Sequence, residues 1–357
     1  MSWQAAVDIA RLTVWMDSQG IGEGPVTNVV PLTGGTQNIL LRFRRGRMEH
    51  VLRRSPLHAR AEVQVTIARE ARVLAALRDS QVPHPAMRGA CLDSEVLGAP
   101  FYLMAPVSGF NPSAGPLPPL HAGDTAIQRR MGFSMVDALL RLGEIDPVAV
   151  GLGDFGKPVG FLERQVARWT AQLDNYRVHE GWPGPASLPG VAAVADWLQA
   201  HRPKPSATGI LHGDFHLSNV MFAPDSGEVA AVIDWELATV GDPLLDLGWL
   251  IATWPGDDGR GAGTIHVRPW LGFPSSAELV AHYRERSQRD LTSIDWYVVL
   301  ARFKLGILLE GSHARACAGK AGAAVGDRHH ASAVRLLAQA LERIKQAPHV
   351  QNLLSGR

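Results

Sequence analysis

The stretch GILHGDFHLSNVMFAPDSGEVAAVIDWELATVGDPLLDLGWL, residues 209–250, constrains the fold of this chain more than any other. Two short apolar runs, 220–222 and 229–233, are joined by Ala-Pro-Asp-Ser-Gly-Glu, a string of turn-forming residues. The pattern on either side is mostly helical, so a β-hairpin is expected inside a helical body. An antiparallel pair closed by a tight turn brings its two outer ends together. Asn219, just before the first run, then meets Asp234, just after the second. Asp214 lies five residues ahead of Asn219, on the loop that enters the hairpin. Any one of these residues alone reads as a turn or helix cap; the convergence of all three is what calls for chemistry.

Carboxylate and amide oxygens are hard ligands suited to Mg2+, which completes its shell with water and phosphate oxygens. Asn219 and Asp234 are the candidate ligands, with Asp214 left beside the metal to handle a proton. Phosphoryl transfer needs these parts, a metal to neutralise phosphates and a carboxylate to orient the attacking hydroxyl. A second clue is Glu70, between Ile67 and Leu74 on the apolar stripe of a helix expected over 62–78 that also carries Val63 and Leu77. A carboxylate on a core-facing stripe is costly unless a cation meets it. Arg53 and Arg54 end the preceding strand-like run, and strand alternation sends their side chains to opposite faces, so one of them is free to meet Glu70.

The rest of the chain frames this site. Its 357 residues, 46% hydrophobic and 19% charged, suit two domains or one two-lobed unit with a sizeable core. A formal charge of +1 gives no global attraction to nucleic acid. Cys91 and Cys317 stand far apart, forming neither a disulfide framework nor zinc-finger spacing, which suits a reducing cytoplasm. Asp8 and Arg11 interrupt the apolar opening segment, against a secretion leader. The most apolar long stretch, 229–254, contains Asp234, Glu236, Asp242 and Asp246, so no membrane span is expected.

A helix is expected over 3–17, a hairpin or meander over 26–56 and a strand over 99–107. Residues 109–124, with four prolines and three glycines, mark the best boundary or hinge. That places a nucleotide-binding lobe at 1–106 and a catalytic, acceptor-binding lobe at 107–357. Helices are expected at 276–288, 294–317 and 329–345. Eight of the ten tryptophans follow residue 160, as core packing in the larger lobe.

HGDFHLSN followed by IDWE resembles the aminoglycoside phosphotransferase and choline kinase branch of the protein-kinase-like fold, with a histidine-glycine-aspartate loop, an asparagine five residues on, and a later metal-binding aspartate. The resemblance runs from about residue 32 to 250. It implies an α+β, two-lobed fold, with an antiparallel sheet and one helix in the small lobe and mostly helices in the large one. It implies Asp214 as catalytic base, Asn219 and Asp234 as Mg2+ ligands, and ATP as phosphate donor, with GTP open. The family lysine corresponds to Arg53 in VLRR, held by Glu70. This departure is similar to a subgroup resembling the kinase-like domain of acyl-CoA dehydrogenase family proteins, and it counts against antibiotic resistance as the role. Arginine keeps the charge and can grip phosphate in bidentate fashion. Gly34, Gly35 and Thr36 correspond to the nucleotide-covering turn, and Met104, Ala105 and Val107 to the hinge that contacts adenine through its backbone.

Other residues carry weaker readings. His212 is expected to order the catalytic loop; His212-x-Asp214-x-His216 also spells a metallohydrolase fragment, unsupported elsewhere. Asp242-Pro243 reads as a helix start and Asp246 as structural. Arg42, Arg44, Arg45, Arg47 and Arg60 read as a solvated hairpin face, with contact to an anionic substrate such as a phosphate-bearing thioester carrier as the lesser reading, and 256–274 as an acceptor lid or a connector. The expected activity is transfer of the ATP γ-phosphate to a hydroxyl of a small molecule. The acceptor stays open among aminoglycosides, choline-like amines, sugars and hydroxyacyl thioesters. An ATP-binding module without turnover is the alternative. No membrane, nucleic-acid or obligate protein partner is expected.

Overall fold

A computed structural model describes residues 3–32, 38–56 and 61–347 of the chain. Gly34, Gly35, Thr36 and Arg60 lie outside the described residues. Asp8 caps the first helix, accepting from the Ala10 and Arg11 amides, so α1 spans Ile9–Ser18 rather than opening at residue 3. The meander follows as β1 (Val26–Pro31), β2 (Ile39–Arg45) and β3 (Met48–Arg54). Helix α2 (Ala61–Ala76) leads to β4 (Met87–Cys91), the single turn α3 (Ser94–Leu97) and β5 (Phe101–Met104). Prolines 100 and 106 bracket β5 and account for its being shorter than the 99–107 expectation. The five strands form one antiparallel sheet in the order β1-β2-β3-β5-β4.

Both faces of that sheet are covered. Leu41, Phe43, Leu52, Phe101 and Leu103 pack with Leu12, Trp15 and Met16 of α1. Arg54 joins this side, fully buried, and its guanidinium donates to the Leu97 carbonyl at the end of α3 and to the Ser55 carbonyl. The other face carries Arg53 and Tyr102, directly opposite one another across β3 and β5, and both turn toward α2. Arg45 departs from the solvated-face expectation. It is buried, ion-pairs with Asp17 and donates to the Gly24 and Ile21 carbonyls. Its strand position faces inward, and backbone carbonyls of the turn after α1 satisfy its donors.

The remaining chain is mainly helical, with α4 (Pro119–Gly123), α5 (Thr125–Gly143), α6 (Glu163–Asn175), α7 (Val191–Ala200), α8 (Leu244–Thr253), α9 (Ser276–Arg286), α10 (Ile294–Cys317) and α11 (Ala323–Gln346). Helix α8 starts one residue later than Asp242-Pro243 suggests. Pro243 occupies the cap position, while the Asp242 carboxylate still accepts from the Leu244 amide at 3.0 Å. Two short ladders interrupt the helices, β6 (Gly209–Leu211) with β9 (Thr239–Gly241), and the expected hairpin, β7 (Val220–Phe222) with β8 (Val229–Val232).

The Pro/Gly-rich segment 109–124 is stitched to that hairpin. Phe110 and Phe222 exchange two backbone hydrogen bonds of 3.0 and 2.9 Å, and Asn111 donates to the Ser218 carbonyl. Gly109 is needed at this crossing, because a Cβ there would lie 2.6 Å from the Phe222 carbonyl oxygen. Among the described residues no helix is long and apolar enough to cross a membrane.

Candidate active site

The catalytic loop is built on a buried aspartate. Asp246, in the first turn of α8, accepts from the backbone amides of His212 at 2.6 Å and Gly213 at 2.9 Å. Burial pushes its carboxyl up, against the pull of His212 and those two amides. Gly213 has φ +84°, and a Cβ there would strike the Leu237 carbonyl, so glycine is required on both counts. His212 is fully buried, and burial holds its imidazole below the usual range. One ring nitrogen meets the Ile233 carbonyl at 2.9 Å, and the other accepts from the Asp214 amide at 3.3 Å. Both nitrogens are thus occupied in fastening the loop to the hairpin, which removes His212 as a metallohydrolase ligand.

Asp214 then projects at the hairpin mouth. Asn219 Nδ2 donates to both the backbone carbonyl of Asp214, at 2.9 Å, and its Oδ2, at 3.0 Å. This uses the amide nitrogen and leaves Asn219 Oδ1 with no hydrogen-bond donor among the described residues. His216 Nε2 lies 3.3 Å from Asp214 Oδ1, while its Nδ1 accepts from the Ser218 amide. An accepting Nδ1 fixes the Nε2–H tautomer, so His216 donates to Asp214. Burial raises the Asp214 carboxyl, but His216, with help from His212 and Lys304, outweighs it and holds the group below its ordinary 3.8. At neutral pH it is an ionised proton acceptor.

The other half of the mouth is Asp234. The Ile233 amide donates to the Asn219 carbonyl at 2.9 Å, placing Asp234 next to Asn219 across the hairpin ends. Asp234 adopts φ 67°, ψ 62°, a left-handed conformation uncommon for a residue with a side chain. Its Oδ1 accepts from Arg53 Nη2 at 2.9 Å. Arg53 also bonds Glu70 Oε1 through Nη2 at 2.8 Å, sets Nε 2.8 Å from Oε2, and passes within 3.9 Å of Glu236. One guanidinium therefore gathers Glu70, Asp234 and Glu236, whose oxygens all lie within 4.8 Å of one another. Tyr102 donates to Glu70 Oε2 at 2.7 Å and completes the buried carboxylate. Tyr102→Phe is expected to cost about 1.5–3 kcal/mol, the range for a hydrogen bond to a charged group, readable by urea denaturation.

At the end of β5 the Ala105 amide is spent on the Ala86 carbonyl at 2.8 Å, and Pro106 has no N–H. Among the described residues that leaves the Val107 N–H and the Ala105 carbonyl without a backbone hydrogen bond at this strand end.

Beside the catalytic loop, α6, α8 and α10 enclose a cavity of about 420 Å3, in the size range of small-molecule sites. Gly213 and Asp246 form its floor, Trp169, Trp249 and Leu300 its walls, and Arg168 and Lys304 bring two cations. Lys304 Nζ donates to the Gly213 carbonyl at 3.2 Å and lies 4.2 Å from the Trp249 ring centre. Sequence reasoning does not single out Lys304 or Arg168, and marks His216 only as part of a metallohydrolase fragment. A lone lysine within the apolar run of α10 was the available signal for the first. Segment 256–274 contributes nothing to the cavity lining. Instead the Leu117 amide bonds the Arg268 carbonyl, Gln128 accepts from the Leu271 and Gly272 amides, and Trp270 stacks on Phe273, the contacts of a connector.

Residues 28–297 match the phosphotransferase enzyme family, and the chain belongs to it. It is 32% identical over 279 residues to mouse acyl-CoA dehydrogenase family member 10, covering 77% of this chain and 25% of that protein. Rat acyl-CoA dehydrogenase family member 11 is 29% identical over 321 residues, 87% of this chain and 40% of the relative. The chain thus spans well under half of these longer relatives. Among solved structures, a Ralstonia eutropha protein provisionally assigned as an aminoglycoside phosphotransferase superposes with a TM-score of 0.79 at 31% identity, covering 95% and 99% of the two chains. Aminoglycoside phosphotransferase APH(4)-Ia, at 15% identity and TM-score 0.58 over 92% and 99% of the chains, shares the fold. The protein-kinase-like architecture expected from HGDFHLSN and IDWE is the observed one.

Proposed function

We propose that this chain transfers the γ-phosphate of ATP to a hydroxyl of a small molecule, with Mg2+ and with Asp214 as the base. The observation that carries the proposal is the Asp214 carboxylate held at the hairpin mouth by Asn219 and His216. Asp214 accepts the acceptor hydroxyl proton as the oxygen attacks phosphorus. Asn219 Oδ1 and the Asp234 carboxylate fit a hard cation, being oxygen donors on adjoining ends of one hairpin. A Mg2+ ion there supplies charge neutralisation to the phosphates. Arg53 reaches the same space from β3, fixed by Glu70, and pairs with the α- and β-phosphates. The Ala105 carbonyl and Val107 N–H receive the base. Structures of APH(4)-Ia hold ADP or AMP-PNP together with hygromycin B, in keeping with a nucleotide in this fold. The small lobe, about 1–106, serves the nucleotide, and 107–357 the acceptor. Two widely spaced cysteines suit a cytoplasmic setting.

The cavity narrows the acceptor. Arg168 and Lys304 repel a polycationic amino-sugar or a choline-like amine, and the tryptophan walls favour an acceptor with an apolar portion. A hydroxyl-bearing anion fits best, and of the four acceptor classes the hydroxyacyl thioester answers to that description. The test is transfer from γ-labelled ATP across amino-sugars, choline-like amines, sugars and hydroxyacyl thioesters. Labelling confined to the anionic class supports this reading. Thermal stabilisation by Mg2+–ATP with no labelled product in any class makes the chain a binding module instead. Arg168→Met is expected to raise KM for the anionic acceptor about tenfold, the equivalent of ~1.4 kcal/mol, with KM for ATP unchanged.

A further inference from the structure

Far from the hairpin mouth along α10, a second group of side chains has no part in phosphate transfer. Glu310 and His313 sit three residues apart on α10, and Asp327 and His330 three apart on α11. That spacing puts each pair on one helix face, and the two helices pack together with these faces in contact. One ligand atom each from Glu310, His313 and His330 falls within 4.8 Å of the other two. Glu310 is fully buried; its Oε2 lies 2.8 Å from His330 Nδ1, and its Oε1 accepts from Trp182 Nε1 at 2.7 Å. His313 Nδ1 is buried and has no hydrogen-bond partner among the described residues, with the Asp327 carboxylate 3.9 Å away. The opposite nitrogen of that ring, Nε2, lies 3.5 Å from Cys317 Sγ.

A plain buried ion pair between Glu310 and His330 explains one of these contacts only. It leaves His313 Nδ1 buried with no hydrogen-bond partner among the described residues, a costly state for a ring nitrogen. The geometry points to a zinc site formed by Glu310, His313 Nδ1 and His330 Nδ1, with Asp327 or water as fourth ligand. Two imidazoles and one or two carboxylates are a donor set for a borderline divalent ion, not for Mg2+ or Ca2+. Bonds of about 2.0–2.2 Å in a tetrahedral shell need ligand atoms about 3–3.5 Å apart, so side-chain adjustment suffices to close the site. The surroundings have the character of ligand support. Trp182 orients the Glu310 carboxylate, and Cys317 receives the N–H on the far side of the His313 ring, the contact that fixes a metal-bound tautomer. Zinc here would clamp α11, and the loop carrying Trp182, onto the helix that supplies Lys304 to the cavity.

The experiment uses the full chain stripped with a chelator, then titrated with Zn2+ by calorimetry and melted with and without the ion. One equivalent of zinc binding at micromolar or lower concentration is expected, raising the unfolding midpoint by a few degrees, with no response to Mg2+ at this site. The double variant His313→Ala, His330→Ala should lose both effects. Asp234→Asn should keep them, which separates this site from the hairpin mouth. Should the double variant fold poorly, Cys317→Ala at an exposed position removes the acceptor for the His313 Nε2–H and is expected to weaken zinc about tenfold, at the low end for loss of a supporting contact. Absence of stoichiometric uptake by the parent chain, or zinc affinity unchanged in the variants, overturns the site.

Discussion

Asp214→Asn is expected to lower the rate of phosphate transfer by about 10²–10⁴, the usual worth of a positioned general base. The substitution keeps size and leaves an oxygen to accept from Asn219 Nδ2, so the hairpin mouth should survive and Mg2+–ADP should still raise the melting temperature. What disappears is the proton acceptor. The pH profile adds a readout that a structural role would not move. His216 and its neighbours hold the Asp214 carboxyl below 3.8, so the group is ionised throughout the neutral and mildly acidic range. A base is lost as pH falls through its own pKa, so the acid limb from Asp214 belongs below pH 3.8. A rate that falls instead between pH 7 and 5, in the parent chain, would remove Asp214 as the group whose protonation stops transfer. Undiminished turnover in Asp214→Asn would end the base assignment altogether.

How much of this was legible beforehand depended on whether a residue's partners were local. The hairpin could be read because its two runs and its turn lie within fourteen residues, and because polar residues stood at the ends where pairing would join them. Glu70 could be read because one helix stripe carried it among Ile67, Leu74 and Leu77. Whether Arg53 or Arg54 would meet it could not be decided from alternation. Both faces of β3 are covered, one by α2 and one by α1 with α3, and each arginine finds buried acceptors on its own side. Arg45 was misjudged for a related reason, since a run of arginines looks solvated until the turn after α1 folds back over one of them.

The cavity was invisible from sequence. Trp169, Trp249 and Lys304 come from three helices, the outer two residues more than a hundred positions apart, and α10 is buried on so many sides that no single stripe marks its functional face. The Glu310, His313, Asp327 and His330 group stands in the sequence as two i,i+3 pairs, but nothing local shows that their two helices pack face to face.

The catalytic loop itself rests on a residue the sequence reading set aside as structural, and the structure gives that description a measurable size. Asp246→Ala removes a buried carboxylate that accepts from the His212 and Gly213 amides. The His212 amide is buried, and an unsatisfied donor there costs about 1–3 kcal/mol, whereas Gly213 borders the cavity, where water can replace its acceptor, so a loss of roughly 1–3 kcal/mol is expected in urea denaturation. Asp246→Asn fills the space and keeps one acceptor but points an N–H at the second amide, so its loss should fall nearer the lower bound. Activity should fall in both, since Asp214 follows directly on the two residues that Asp246 holds. Gly213 is also gripped from the opposite side by Lys304, whose ammonium burial holds below its usual range while Asp214 and Asp246 pull it back up. With Asp246 gone, Lys304 loses one of two balancing carboxylates, and acceptor binding in the cavity should weaken alongside stability. If Asp246→Ala unfolds within about 0.5 kcal/mol of the parent, the loop is held by His212 and Lys304 without it. The rigid placement of Asp214 would then have to be sought in the hairpin alone.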